Sequence, residues 1–140
     1  MAIAKQAFYE GAALYLVART GDIRSIGYGA PFFRLNDRLL VLLKYTTRSR
    51  SPWGFTFTID EQLLLRRKAT EGRIVLGLVC GGDGVAALTY EAYLQVASGS
   101  KSAIHISCYR QHGEYYEING PAGLLDAKIP PAAWQNILRL

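Results

Sequence analysis

The stretch "RLLVLLKYT", residues 38–46, decides the fold class. It contains five apolar side chains in a row before Lys44. Successive side chains of a strand point to opposite faces, so both faces of this segment are hydrophobic. Such a strand is typical of the centre of a sheet that is covered on each side. We therefore predict a central strand over 38–46. Lys44 is then either a catalytic lysine or the charged end of the strand, with its stem on apolar surface and its amine in water.

The segments around this strand predict an alternation of helices and strands. Residues 2–19 have the pattern of a helix whose apolar second half docks against a sheet, and Gly21 is suited to a left-handed helix cap. Two strands, 23–28 and 31–36, lead through the tight turn "LND" into the central strand. The later predicted elements are a strand at 53–58, a helix from the capping box "TIDE" (58–61) to about Thr70, a strand at 73–80, a hairpin through "GGDG", a helix at 90–97, a hairpin around "QHG" and a short helical segment after Pro131. This order predicts one α+β (mixed α/β) domain, residues 1–140, with a central mixed sheet flanked by helices.

Composition and charge limit the classes of function. Half of the residues are hydrophobic, which is enough for a core and argues against disorder. No apolar run approaches the ~18 residues of a membrane span, and no leader-like segment is found, so we expect a cytoplasmic protein without a membrane partner. The net charge is +5, and residues 1–70 hold 11 basic and 5 acidic side chains. A basic surface of this kind attracts nucleic acid or an acidic partner.

The segment "KYTTRSRSPW", residues 44–53, combines groups that suit nucleic acid. Its three cationic side chains suit phosphates, its hydroxyls are hydrogen-bond donors, and Tyr45 and Trp53 offer ring faces for a base. The alternative is a solvated loop between two strands, with Trp53 packed inward. The predicted nucleic-acid contacts are Lys44, Arg48, Arg50 and Trp53.

The order of the first elements resembles that of a known superfamily. A helix that carries Glu10, followed by three strands of which the third ends in apolar-x-Lys at Lys44, is similar to the PD-(D/E)XK (restriction-endonuclease-like, resolvase-like) nucleases. The resemblance covers roughly residues 2–80 and rests on element order and hydrophobic pattern. It implies an aspartate on the second strand and a Glu-x-Lys on the third. The carboxylates would hold Mg²⁺, and the lysine would help to position or activate water.

This chain departs from that pattern at both carboxylate positions. Lys44 takes the lysine position, but Leu42 stands at the glutamate position and Phe33 or a neighbour at the aspartate position. Glu10 matches a helix glutamate of some members, and Asp37, five residues before Leu42, is the nearest other carboxylate. The resemblance therefore implies a degenerate relative. Its catalytic alternative is a Mg²⁺-dependent nuclease with unconventional ligands, which would use Glu10, Asp37 and Lys44.

The two cysteines, Cys80 and Cys108, are too few for a disulfide framework, and we expect both to be reduced and buried. An alternative is a nucleophilic Cys80 with His105 or His112 as its base and Asp83 as its orienting group. A zinc site built on "HISCYRQH" is disfavoured, because His105 and Cys108 are three residues apart and point to opposite faces of a strand.

Three classes of function follow from these patterns. The first is an intracellular, non-catalytic module of nuclease-like fold that binds nucleic acid or a protein partner and needs no cofactor. The second is the Mg²⁺-dependent nuclease. The third is a structural homo-oligomer, for which nine tyrosines would suit a homodimer interface.

Overall fold

Strand β3 (Leu39–Thr46) is the middle strand of a five-stranded sheet in the computed structural model, which describes residues 2–97, 101–111 and 113–139. The other elements, in chain order, are α1 (Lys5–Thr20), β1 (Ile26–Gly29), β2 (Phe32–Leu35), β4 (Trp53–Phe57), α2 (Ile59–Lys68), β5 (Arg73–Cys80), β6 (Gly84–Thr89), α3 (Tyr90–Ala97), β7 (Ile104–Tyr109), β8 (Glu117–Gly120), β9 (Gly123–Leu124) and a 3₁₀ segment, Pro131–Arg139. The five-stranded sheet has the order β1-β2-β3-β5-β6, in which β3 and β5 run parallel and the other neighbours antiparallel. The α+β class with a mixed sheet is thereby confirmed.

Both faces of β3 are buried, as its sequence predicts. Leu40 and Leu42 belong to the hydrophobic cluster on one face of the sheet. Leu39, Val41 and Leu43 belong to the cluster on the other face. None of the five is more than 7% exposed. Alternation along one strand therefore contributes to two separate layers of core.

One face of the five-stranded sheet is covered by α1 and the 3₁₀ segment. Val17 of α1 and Ile137 of the 3₁₀ segment pack in the same cluster as the odd-numbered residues of β3. Trp134 is fully buried there, and its indole Nε1 donates to the carbonyl oxygen of Ala13 at 2.8 Å. The prediction that the second half of the first helix docks against a sheet is confirmed.

The other face is covered by α2, α3 and a second sheet of order β4-β7-β8-β9. The sequence did not predict this second sheet. The burial pattern of β4 gives the physical reason for the second sheet: Trp53, Phe55 and Phe57 are buried, whereas Gly54 and Thr56 are exposed. A strand with one apolar face suits a sheet that turns its other face to solvent.

The end of α1 differs from its prediction. Gly21 has φ −103° and ψ 167°, so it is extended rather than left-handed. A Cβ at this position would lie 2.9 Å from Leu138 Cδ1, which means that glycine permits the close approach of the 3₁₀ segment. Among the described residues, no helix has both the length and the hydrophobicity to cross a bilayer.

Two predicted turns are confirmed. Asn36 and Asp37 both adopt left-handed φ values, 53° and 55°, in the turn between β2 and β3. Gly81, with φ 55°, begins the turn between β5 and β6. Asparagine, aspartate and glycine tolerate this conformation best, which is why these turns could be predicted from the sequence. The turn around "QHG" includes His112, which lies outside the described residues.

Candidate functional site

The carboxyl-terminal end of β3 extends beyond its neighbour β2. The β2–β3 pairing ends at Phe32 and Leu42, whereas the β3–β5 pairing continues to Thr46 and Cys80. Beyond Leu42, this edge of β3 faces a cleft of about 230 Å³. The polar residues that line the cleft are Gln6 and Glu10 from α1, Lys44 and Tyr45 from β3, and Glu61 from α2.

Lys44 is paired with a carboxylate in this cleft. Its Nζ donates to Glu61 Oε2 at 2.7 Å, and the two side chains are 21% and 24% exposed. The ammonium also lies 5.0 Å from the centre of the Phe57 ring, which is a cation–π distance. The charge of Lys44 is therefore compensated within the protein.

Glu61 is held by its own helix start as well as by Lys44. Its Oε1 accepts from the Thr58 backbone N–H at 3.0 Å, and its own N–H donates to Thr58 Oγ1 at 3.1 Å, which completes the predicted capping box. Burial of the carboxyl works to raise its pKa, but the hydrogen bonds from Lys44 and Thr58 together outweigh burial, and the pKa of Glu61 is lowered.

Glu10 lines the same cleft from α1. Its Oε2 accepts from Gln6 Nε2 at 3.2 Å, one helical turn earlier. Two of the three predicted catalytic residues, Glu10 and Lys44, are thus brought to one cleft. The structure adds Glu61 to them.

Asp37 is not brought to this cleft. It lies in the turn before β3, at the opposite end of the strand from Lys44. The part of β3 from Leu39 to Lys44 alone covers five steps of extended chain at roughly 3.3 Å each, which is about 16 Å. No side chain bridges such a distance, so Asp37 and Lys44 do not form one catalytic centre.

Residues 46–52, here called the basic loop, run from the last residue of β3 to the residue before β4 and are held by hydrogen bonds. Trp53 Nε1 donates to the carbonyl oxygen of Arg48 at 2.9 Å, and Ser51 Oγ donates to that of Arg110 at 3.0 Å. A Cβ at Gly81 would lie 2.3 Å from the Arg48 oxygen, so only glycine allows this contact with the β5–β6 turn. Arg48 and Arg50 are exposed, and none of the ion pairs between described residues involves either of them.

Trp53, a predicted base-stacking residue, is only 2% exposed and packs edge-on against Tyr116. It is therefore unavailable to a ligand, and the inward-packed alternative is the one observed. The accessible aromatic group at this end of β3 is Tyr45, whose ring stacks on Tyr9 of α1 with centroids 5.0 Å apart and an angle of 14°. Tyr45 lies on the α1 side of the sheet, because successive side chains of a strand alternate and the neighbouring Lys44 points to the opposite side.

Neither a family model, nor a curated protein, nor a solved structure matches this chain. Function is therefore inferred from the geometry at the end of β3.

The carboxylates of the cleft do not fit a resident Mg²⁺ ion. Both oxygens of Glu61 already accept hydrogen bonds, from Lys44 and from Thr58. The described part of the chain contains no group of three or more histidine, cysteine, aspartate or glutamate residues that could hold a metal. Mg²⁺ requires near-octahedral oxygen ligands, so Glu10 with an already engaged Glu61 is a poor donor set.

Cysteine chemistry finds no support in the described residues. Cys80 and Cys108 are both fully buried and free, as predicted. His105 lies on the exposed face of β7, opposite in direction to Cys108, so these two side chains do not converge. His112 lies outside the described residues.

Sequence reasoning missed two groups of this site, Glu61 and Tyr9. Glu61 was identified as part of a capping box, but its ion pair with Lys44 spans 17 residues. Tyr9 was placed on a helix without its partner Tyr45. Both contacts depend on how α1 and α2 pack around β3, which local spacing does not specify.

Proposed function

We propose that this protein is a non-catalytic nucleic-acid-binding module, a degenerate relative of the nuclease-like fold, whose contact surface is the basic loop. The observation that carries the proposal is the exposure of Arg48 and Arg50 without carboxylate partners among the described residues. Two neighbouring guanidiniums suit the phosphate groups of a nucleic-acid backbone, since each presents several donors in a fixed plane.

The rigidity of the basic loop supports the proposal. The Arg48 carbonyl is held by Trp53, and the Thr46 carbonyl accepts from the Gly81 N–H at 3.1 Å. A loop that is already ordered loses less conformational entropy when it binds a ligand. Tyr45 lies directly before the loop. One face of its ring is covered by Tyr9, and its exposed part is open to a base, the role that the buried Trp53 does not fill.

The state of Lys44 favours binding over catalysis. A lysine that positions or activates water needs to face the reacting group, whereas the Lys44 ammonium is 2.7 Å from Glu61. The catalytic alternative based on Glu10 and Lys44 keeps one supporting observation, their shared cleft, but it lacks a donor set that suits Mg²⁺.

The test is fluorescence anisotropy with labelled DNA at several salt concentrations, with the full chain and an Arg48→Ala/Arg50→Ala variant. We expect salt-sensitive binding. Because each neutralised phosphate contributes about 0.7–0.9 to the slope of log K against log salt, loss of two contacts in the variant should lower the magnitude of that slope by about 1.4–1.8. The matched control is Arg66→Ala/Arg67→Ala, which removes the same charge at the exposed end of α2 and should leave most of the slope.

Two results would overturn the proposal. The first is absence of binding at low salt, and the second is an equal loss of slope in both double variants, which would reduce the effect to net charge. Addition of Mg²⁺ or Mn²⁺ to the same samples tests the nuclease alternative, with cleavage of the DNA as the readout. Metal-dependent cleavage that disappears in Glu10→Ala would establish catalysis and contradict the non-catalytic assignment.

A homodimer is the remaining candidate, and strand β1 favours it. All four of its residues are exposed, including Ile26 and Tyr28, and it forms an edge of the five-stranded sheet. An exposed edge strand can pair with a second copy of itself. Sizing at several concentrations, with Tyr28→Lys as the disrupting variant, tests this arrangement independently of nucleic acid.

A further inference from the structure

A groove between α1 and the β5–β6 hairpin adjoins the basic loop. It has a volume of about 370 Å³ and is here called the α1 groove. Its lining includes Phe8, Tyr9, Ala12 and Leu16 of α1 and Gly82 and Val85 of the hairpin. The described residues that line it carry no charged side chain. The α1 groove is therefore an apolar site beside a basic surface.

The α1 groove and the basic loop share two boundaries. Tyr9 lines the groove, and its ring stacks on Tyr45, directly before the loop. Gly81 also lines the groove; its N–H donates to the Thr46 oxygen at 3.1 Å, and its α-carbon lies against the Arg48 carbonyl. A ligand in the groove would thus lie next to the part of the loop that carries the exposed arginines.

We propose that the α1 groove binds an unpaired nucleobase of a single-stranded nucleic acid whose phosphates are held by the basic loop, an inference that rests on the proposed function. Apolar and aromatic walls suit a base, because every base has a π-face that stacks on aromatic side chains. The adjacent positive charge selects an anionic ligand over a neutral lipid or an apolar peptide. The volume of the groove falls within the range of about 300–1,000 Å³ that small-molecule sites occupy.

This arrangement predicts a preference for single strands over duplexes. The bases of a duplex are stacked and paired, so they enter a protein groove only after unstacking. The phosphates of a duplex remain available to Arg48 and Arg50. The groove should therefore contribute to single-strand affinity, and the basic loop to both.

Two substitutions change the groove without changing the basic loop, so they separate the contributions of the two surfaces to binding. Gly82→Leu would add a bulky side chain at the lining of the groove, at a position where a Cβ meets no atom within 4 Å. Phe8→Ala would remove an aromatic wall that is 61% exposed. Each substitution has a matched control on α1, outside the groove lining. Gly11→Leu is the control for Gly82→Leu, because a Cβ at Gly11 also meets no atom within 4 Å. Tyr15→Ala is the control for Phe8→Ala, because Tyr15 is 62% exposed.

The experiment measures anisotropy of an oligothymidylate and of a duplex of equal length with the full chain and these variants, each checked for folding by thermal melting. We expect Gly82→Leu and Phe8→Ala to weaken single-strand binding by about 5- to 100-fold and to leave duplex binding unchanged. Both controls should retain wild-type affinity for both ligands. Arg48→Ala/Arg50→Ala should weaken binding to both.

The failures are distinguishable. If the arginine variant weakens binding but the groove variants do not change single-strand affinity, the groove assignment is wrong and the proposed function stands. If the wild type binds neither oligonucleotide at low salt, both are wrong. If sizing shows that the wild type is a dimer that Gly82→Leu dissociates, the groove is covered by a second copy of the chain, which also overturns the assignment.

Discussion

At the residue scale, Lys44 and Glu61 account for the polar end of an otherwise apolar strand. Each is about one-fifth to one-quarter exposed, so neither charge is fully solvated. A partly buried ammonium without its partner carries an uncompensated desolvation cost. The pair therefore stabilises the junction of β3 and α2 whether or not the cleft binds a ligand.

Glu61→Gln should destabilise the protein by about 1–2 kcal/mol at pH 7, because it removes the ion pair and weakens the capping box. The pKa of Glu61 is lowered below 4.5 in the folded state, so its stabilising contribution is present above pH 4.5 and is lost as pH falls through the folded value. Denaturant melts of wild type and variant between pH 7 and pH 3 should therefore converge at the acid end.

The control for this prediction is Glu71→Gln, which removes the partner of Lys68 in a more exposed pair at 3.4 Å. Exposed ion pairs contribute roughly 0–1 kcal/mol, so this change should have a small effect at every pH. A gap between wild type and Glu61→Gln that stays constant down to pH 3 would contradict the assigned role of the carboxylate.

At the scale of elements, the contact between β5 and the 3₁₀ segment depends on a glycine. A Cβ at Gly77 would lie 2.8 Å from the Trp134 ring and 2.6 Å from Leu43 Cδ2. Trp134 is fully buried, and its indole is hydrogen-bonded to Ala13, so the ring has little freedom to move away. The missing side chain at Gly77 creates the space that the indole occupies.

Gly77→Ala should therefore cost about 1–3 kcal/mol of unfolding free energy through overpacking. Gly11→Ala is the opposite case, since a Cβ there meets nothing within 4 Å in the interior of α1, and it should stabilise by roughly 0.5–1 kcal/mol. Thermal or urea melts of the two variants measure the difference. Equal effects would mean that Trp134 does not pack on β5 as described.

Whether an element could be predicted from the sequence depends on how far apart along the chain its contacting residues lie. Residues 73–80 and 90–97 were predicted with the observed limits, because a continuous apolar run and a short helical segment are local signals. The separation of β4 from the central sheet was not predicted, since pairing with β7 depends on residues about fifty positions away. For the same reason the burial of Trp53 and the ion pair of Glu61 required the structure.

At the scale of the whole molecule, the two sheets enclose one shared core. Leu76 of β5, Phe55 of β4 and Ile106 of β7 belong to a single buried cluster. At the surface, Asp83 of the β5–β6 turn accepts from Arg110 Nε at 2.8 Å and from the Tyr116 hydroxyl at 3.1 Å. These contacts tie the two sheets together on the side that carries the basic loop.

The reactivity of the two cysteine thiols measures whether the two sheets separate. Cys80 belongs to the five-stranded sheet and Cys108 to the second sheet, and their Sγ atoms are 3.8 Å apart in the shared core. The hydrogen bond with Cys108, together with burial, raises the pKa of Cys80, so that its reactive thiolate form is suppressed. Reaction with a thiol reagent therefore requires an opening of the core.

We expect both thiols to react with a dithiobis-nitrobenzoate reagent at least about a thousandfold more slowly in the native protein than in denaturant, as a free energy of unfolding of roughly 5 kcal/mol implies. If the sheets separate only by global unfolding, the native-state rate should rise with urea in parallel with the unfolding equilibrium. A rate that does not depend on urea would instead identify a local opening at the β5–β6 turn. Such an opening would expose little of the shared core, and the basic loop, which contacts that turn through Gly81, would not be held as rigidly as the proposed binding surface requires.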